Sequence, residues 1–122
     1  MTEEDLGLLR ETREVRIETS RGAGAPVHRT IIWVVVDRAD RILVRTYLGP
    51  RSRWYREALA NPRVRLLAGD RAVELVAERA DDPDRIAACS EGLRTKYRAG
   101  ASLDAMLRDE VLATTLELRP AK

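Results

Sequence analysis

The chain is poor in the residues on which most catalytic machinery is built. Cysteine occurs once, at Cys89, which excludes an intrachain disulfide and a cysteine-rich metal site. Histidine also occurs once, so serine–histidine and cysteine–histidine systems have one candidate base, His28, in a predicted hairpin strand. Its expected role is structural or solvent-facing, and Cys89 is expected to be a small core residue. Of 22 basic residues only Lys96 and Lys122 are lysine. No stretch approaches the ~18 consecutive apolar residues of a membrane-spanning helix. The opening Met1-Thr2-Glu3-Glu4-Asp5-Leu6 places acid where a secretory leader needs a basic start and an apolar run. HExxH, CxxC, GxSxG and phosphate-loop patterns are missing, which leaves metalloprotease, zinc-ribbon, hydrolase and nucleoside-triphosphatase readings without support. These absences lead us to expect a soluble, cytoplasmic protein with no metal and no membrane partner, whose chemistry has to come from a cofactor.

What is present fits one domain. With 122 residues, 44% apolar and 34% charged, the chain is globular. It can bury about two thirds of its unfolded surface. Residues 1–122 are read as a single domain, with residues 1–11 as a peripheral segment. A net charge of +2 is too small to attract nucleic acid through the field of the whole molecule. An anion preference has to be local.

Residues 3–10 read as one or two helical turns. Alternation with Val15, Ile17 and Thr19 on one face predicts a half-buried strand over residues 12–20, and the glycine-rich residues 21–26 predict a hairpin loop. Ile31-Ile32-Trp33-Val34-Val35-Val36 is β-branched and continuously apolar, which predicts a strand covered on both faces, as at a subunit interface. After a turn at Asp37-Arg38-Ala39-Asp40, the returning strand ends at Thr46 and Tyr47, with Arg45 projecting near its far end. A Gly49-Pro50 turn leads to a short helix capped by Ser52 and closed by Asn61-Pro62. A second hairpin turns at Gly69-Asp70, Asp82 and Pro83 open a longer helix running to Gly100, and Leu112 to Leu118 mark a last strand. The expected class is α+β, a small antiparallel barrel of about six strands. A short helix lies between strands 3 and 4 and a longer one before the last strand.

This order gathers Arg45, Arg51, Ser52 and Arg53 around one helix N-terminus, where free N–H groups and the helix dipole favour an anion. The expected anion is a phosphate, since a guanidinium grips it bidentately at about 1.5–3 kcal/mol per charge-assisted bond. The competing reading is a solvated arginine surface, natural where almost every cation is arginine.

The stretch Ser52-Arg53-Trp54-Tyr55-Arg56-Glu57-Ala58-Leu59-Ala60-Asn61-Pro62 resembles the Ser-Arg-Lys…Leu…Asn-Pro segment of the FMN-binding split barrels, the pyridoxamine phosphate oxidase-like superfamily. It is more similar still to the Trp-Tyr…Leu-Ala-Asn-Pro-Arg-Val pattern of the deazaflavin-dependent nitroreductases and of a small uncharacterised branch near them. The likeness spans roughly residues 12–119. The resemblance implies a homodimeric split barrel that binds FMN or the deazaflavin coenzyme F420, with phosphate held by Arg45, Ser52 and Arg53 and with Arg51 nearby. It also implies that Thr46 and Tyr47 line the ring, that Trp33 stands beside it, and that hydride passes to a small acceptor such as a quinone or nitro compound. Trp54 departs from the oxidase pattern, which has lysine there, and removes one charge from the phosphate grip. Trp33 and Trp54 are each read either as core or as cofactor contacts, and no residue is assigned as catalytic. Two other readings remain: a non-catalytic carrier or interaction module, and a nucleic-acid-binding barrel using Arg51, Arg53, Arg56, Arg63 and Arg65 with nearby aromatics. Glu57, Glu74 and Glu78 oppose the last.

Overall fold

In the computed structural model, which describes residues 1–121, helix α1 (Glu3–Glu11) precedes a hairpin of β1 (Glu14–Ser20) and β2 (Val27–Trp33). Two short strands, β3 (Val35–Val36) and β4 (Ile42–Val44), lead through a single 3-10 turn (Gly49–Arg51) into α2 (Arg53–Ala60). A second hairpin, β5 (Arg63–Ala68) and β6 (Arg71–Arg79), is followed by α3 (Pro83–Lys96), α4 (Ala101–Met106), α5 (Asp109–Leu112) and β7 (Leu116–Pro120). The strands form one sheet of seven in the order β2-β1-β5-β6-β7-β4-β3, and every pairing is antiparallel.

The two ends of that sheet, β2 and β3, are consecutive in the chain, so the sheet rolls up into a barrel. The α+β class and the antiparallel split barrel are as expected. The strand count is seven rather than about six, because the apolar run Ile31–Val36 breaks at Val34 to pair at both ends. Leaving the ladder there strands no polar group. The Val34 N–H donates to Tyr97 Oη (3.0 Å) and its carbonyl accepts from Lys96 Nζ (2.8 Å).

Two packed clusters explain the helices. Val15, Ile17, Val64, Leu66, Leu75 and Leu118 fill the barrel. Val35, Leu43, Cys89, Leu93, Tyr97 and Met106 form a second cluster where α3 and α4 cover the outside of β3 and β4. Strand β4 is therefore buried on both faces: Ile42 and Val44 point inward, Leu43 toward α3. Helix α3 comes so close that a Cβ on Gly92 would stand 2.2 Å from Val35 Cγ1.

Local chemistry moves several boundaries. Residues 1–11, expected at the periphery, instead supply core: Thr2 and Asp5 form a reciprocal capping box, and Leu6 and Leu9 of α1 are buried in the barrel. Strand β4 stops at Val44, before Thr46 and Tyr47, and α3 stops at Lys96, short of Gly100. The last strand starts at Leu116 rather than Leu112, because Thr114 and Thr115 donate their hydroxyls to the Val111 and Leu112 carbonyls (2.6 and 2.7 Å) and hold a short helix in place. Among the described residues no helix is long and apolar enough to cross a membrane, and no cluster of three or more acidic, histidine or cysteine side chains is placed to hold a metal.

Candidate functional site

A cleft of about 550 Å³ opens where β2, the segment after β4, α2 and α4 meet. It brings together five residues singled out in the sequence: Trp33, Arg45, Thr46, Tyr47 and Trp54. The opposite wall is Ala101, Ser102, Ala105 and Met106 of α4, together with Glu14 of β1. Helical spacing puts those α4 residues on one face, but nothing local tells that this face turns toward β4.

Arg45 is not the phosphate grip it was expected to be. Leu43 and Arg45 share a side of the chain, and α3 and α4 close over it, leaving the arginine 1% exposed. Its Nε donates to Thr115 Oγ1 (2.9 Å), Nη1 to Ser90 Oγ and the Met106 carbonyl, and Nη2 to the Ile86 carbonyl (3.0 Å each). Four of the five donors of a guanidinium are thus engaged within the protein. No carboxylate pairs with it among the described residues, and burial pulls its pKa below the usual arginine value. It remains charged. Arg45 clamps α3 and α4 against the barrel and forms the back of the cleft.

The start of α2 is different. Ser52 occupies the cap position, yet its hydroxyl makes no capping bond. At 2% exposure its Oγ has no hydrogen-bond partner, and a buried polar atom without one requires a reason. Arg51 and Arg53 flank it, exposed and free of ion pairs among the described residues. None of these three lines the cleft; their neighbour Trp54 does, buried and meeting Tyr55 edge-on at 6.4 Å. An orphaned hydroxyl, two free guanidiniums and the amides of a helix start are a fit for phosphate.

The other expected residues have defined surroundings. Thr46 is buried and accepts at Oγ1 from the Leu48 N–H (3.2 Å). Tyr47 is 55% exposed, while its carbonyl is held by Arg108 Nη2 (2.8 Å). Trp33 stacks on Tyr97, with ring centroids 4.0 Å apart and planes 6° from parallel. His28 lies away from the cleft, its Nδ1 3.0 Å from Glu57 Oε2, and Thr19 donates to the same carboxylate (2.8 Å). Cys89 is fully buried, and desolvation pushes its thiol up to about 11, so it is no nucleophile.

Over residues 5–118 the sequence matches the family described as "Uncharacterized protein conserved in bacteria (DUF2255)". The chain belongs to the DUF2255 family. No curated protein matches it. Solved structures similar to this DUF2255 chain include the conserved hypothetical protein Rv2991 of Mycobacterium tuberculosis, at 20% identity and a TM-score of 0.75 over 100% of this chain and 82% of that one. A Listeria innocua protein provisionally named a pyridoxamine 5′-phosphate oxidase is 13% identical, with a TM-score of 0.68 over 98% and 92% of the two chains. The heme storage protein HutZ of Vibrio cholerae is 15% identical, with a TM-score of 0.65 over 98% and 90%. At such identities the likeness shows the fold alone: the DUF2255 chain is a split barrel.

Proposed function

We propose that this DUF2255 chain binds a phosphorylated flavin or deazaflavin, FMN or F420, and works as a homodimeric oxidoreductase that passes hydride to a small acceptor. The observation that carries the reading is the buried, unpartnered Ser52 hydroxyl between the free Arg51 and Arg53, beside a cleft walled by Trp33, Thr46 and Trp54. The cofactor, when bound, supplies the hydride chemistry for which the chain has no residues of its own. The chain supplies the hold: Ser52 donates to the phosphate, Arg51 and Arg53 neutralise it, and the tryptophans and Thr46 shape a cleft from which water is displaced. Arg45 keeps the α4 wall in place. Heme, named for two fold neighbours, would find neither histidine nor cysteine in this cleft, whose only side chains of an axial-ligand type are Tyr47 and Met106.

A second copy is favoured by the outer face of the sheet. Arg29, Glu18, Arg65 and Glu74 lie side by side across β2, β1, β5 and β6, joined by ion pairs of 2.8, 3.3 and 3.6 Å. A two-fold axis along the strands between Glu18 and Arg65 lays Arg29 over Glu74 and Glu18 over Arg65. The row is complementary to itself. Exposed Ile31 and Val27 of β2 extend the same face.

Equilibrium dialysis against FMN and riboflavin tests the phosphate hold. FMN is expected to bind at least roughly tenfold more tightly, and Ser52→Ala or Arg53→Ala to remove about that advantage while leaving riboflavin binding unchanged. Equal affinity for FMN and riboflavin in the parent chain would sink the reading.

A further inference from the structure

The cleft continues into a second chamber of about 490 Å³ that the cofactor reading leaves without a role. The two share Glu14, Trp33, Ala101 and Ser102, so Trp33 is a wall common to both. The far chamber adds Arg13, Tyr97 and Arg98. Its floor is aromatic and fixed, because Tyr97 stacks on Trp33 while its hydroxyl is held by the Val34 N–H and the Arg13 carbonyl. Its charges are Arg13, Arg98 and Glu14, all exposed, and none enters an ion pair among the described residues. The chamber therefore carries one net positive charge beside a flat apolar surface.

We propose that this chamber seats the acceptor, and that the acceptor is a planar aromatic carboxylate. Stacking on the indole of Trp33, held in place from behind by the buried Tyr97, selects a flat ring. A guanidinium pairs with a carboxylate in a planar fork, and the second arginine outweighs Glu14. Glu14 accepts a hydrogen bond from any hydroxyl or amine on the ring. A molecule against Trp33 here lies next to the cofactor cleft, and to take hydride its ring has to reach past the lining the two spaces share, Glu14, Ala101 and Ser102, into contact with the cofactor. The role as acceptor rests on the cofactor reading; the binding does not.

The test uses the full chain without cofactor. It has only Trp33 and Trp54, so its spectrum contains two indole N–H resonances, assigned with Trp33→Phe. Titration with para-nitrobenzoate is expected to move the Trp33 resonance saturably and the Trp54 resonance little. The methyl ester should bind at least roughly tenfold more weakly. Arg13→Gln combined with Arg98→Gln should bring the acid down to the ester's affinity with FMN binding unchanged; both side chains are exposed, and the Arg13 contact to Tyr97 is through the main chain. Equal affinities for acid and ester, or a double variant that binds the acid like the parent, overturns the proposal. If FMN fails to bind while the acid still does, the chamber stands and the cofactor reading alone falls.

Discussion

Arg45 and Arg53 look alike in the sequence, each an arginine near the start of a short helix, yet the fold sets them opposite tasks. Arg45 carries a charge into the interior and donates only to hydroxyls and carbonyls; Arg53 is exposed and has no ion pair among the described residues. Arg45→Ala is expected to lower stability by about 3 kcal/mol, read as a fall in Tm, because it takes the donor from four acceptors at once, three of them buried and one part-buried. Arg45→Lys should recover little, since an ammonium cannot span them. Arg53→Ala should change stability by less than about 0.5 kcal/mol. The difference was not legible in the sequence because the acceptors on Ser90, Met106 and Thr115 come from elements far along the chain. Lys96 gives a second prediction at this scale. Burial pulls its ammonium down to about 8, below the unfolded value near 10.4. Between those values the unfolded chain binds more protons, so Lys96 makes stability rise with pH across that window. Tyr97, pushed up to about 12 by burial, acts in the opposite sense between about 10 and 12. Chemical denaturation of Lys96→Met beside the parent should show the rise lost, by about 1 kcal/mol after allowance for the solvated part of the side chain.

Helix α3 is the element on which closure of the barrel depends. Gly92 lets it touch Val35, Lys96 Nζ holds the Val34 carbonyl, and Tyr97 holds the Val34 N–H. Gly92→Ala should therefore destabilise by about 2 kcal/mol despite the better helix propensity of alanine, as overpacking against β3 outweighs it. Adding Val35→Ala should return part of the loss in the same melting assay, which a defect confined to the helix would not allow. Elements with local signals were readable in advance. Asp82 and Pro83 open α3, Asn61 and Pro62 close α2, and Gly69 at φ 58° turns the second hairpin. The break at Val34 was not, because its partners Lys96 and Tyr97 are supplied by the far end of α3. The wall made by α4 was missed for the same reason: its side chains are ordinary, and it is brought to the cleft by Arg45 and by the packing of Leu103 and Met106 in the second cluster.

At the scale of the molecule, the order of strands and helices was legible because each hairpin carries its own alternation and turn. The outer charge row was not, since it depends on the register of four strands. That row makes assembly testable by charge. Sedimentation of the parent at tens of micromolar is expected to show a dimer, and Glu18→Arg to weaken it at least roughly tenfold. Exchanging the pair, Glu18→Arg with Arg65→Glu, should restore most of the affinity, because positions 18 and 65 still lay opposite charges over one another across the axis. A monomeric parent, or a dimer indifferent to Glu18→Arg, would remove the face from consideration. The rolled sheet has one more consequence. Its two terminal strands, β2 and β3, are a single chain segment bent at Val34 and joined to β4 by a ladder of only two residue pairs. Strand β2 has no ladder on its outer edge among the described residues, and when the β3–β4 ladder parts the facing edges of β3 and β4 are bared as well. Aggregation of this protein should therefore begin at the standing edge of β2 and quicken as that short ladder opens, ahead of global unfolding.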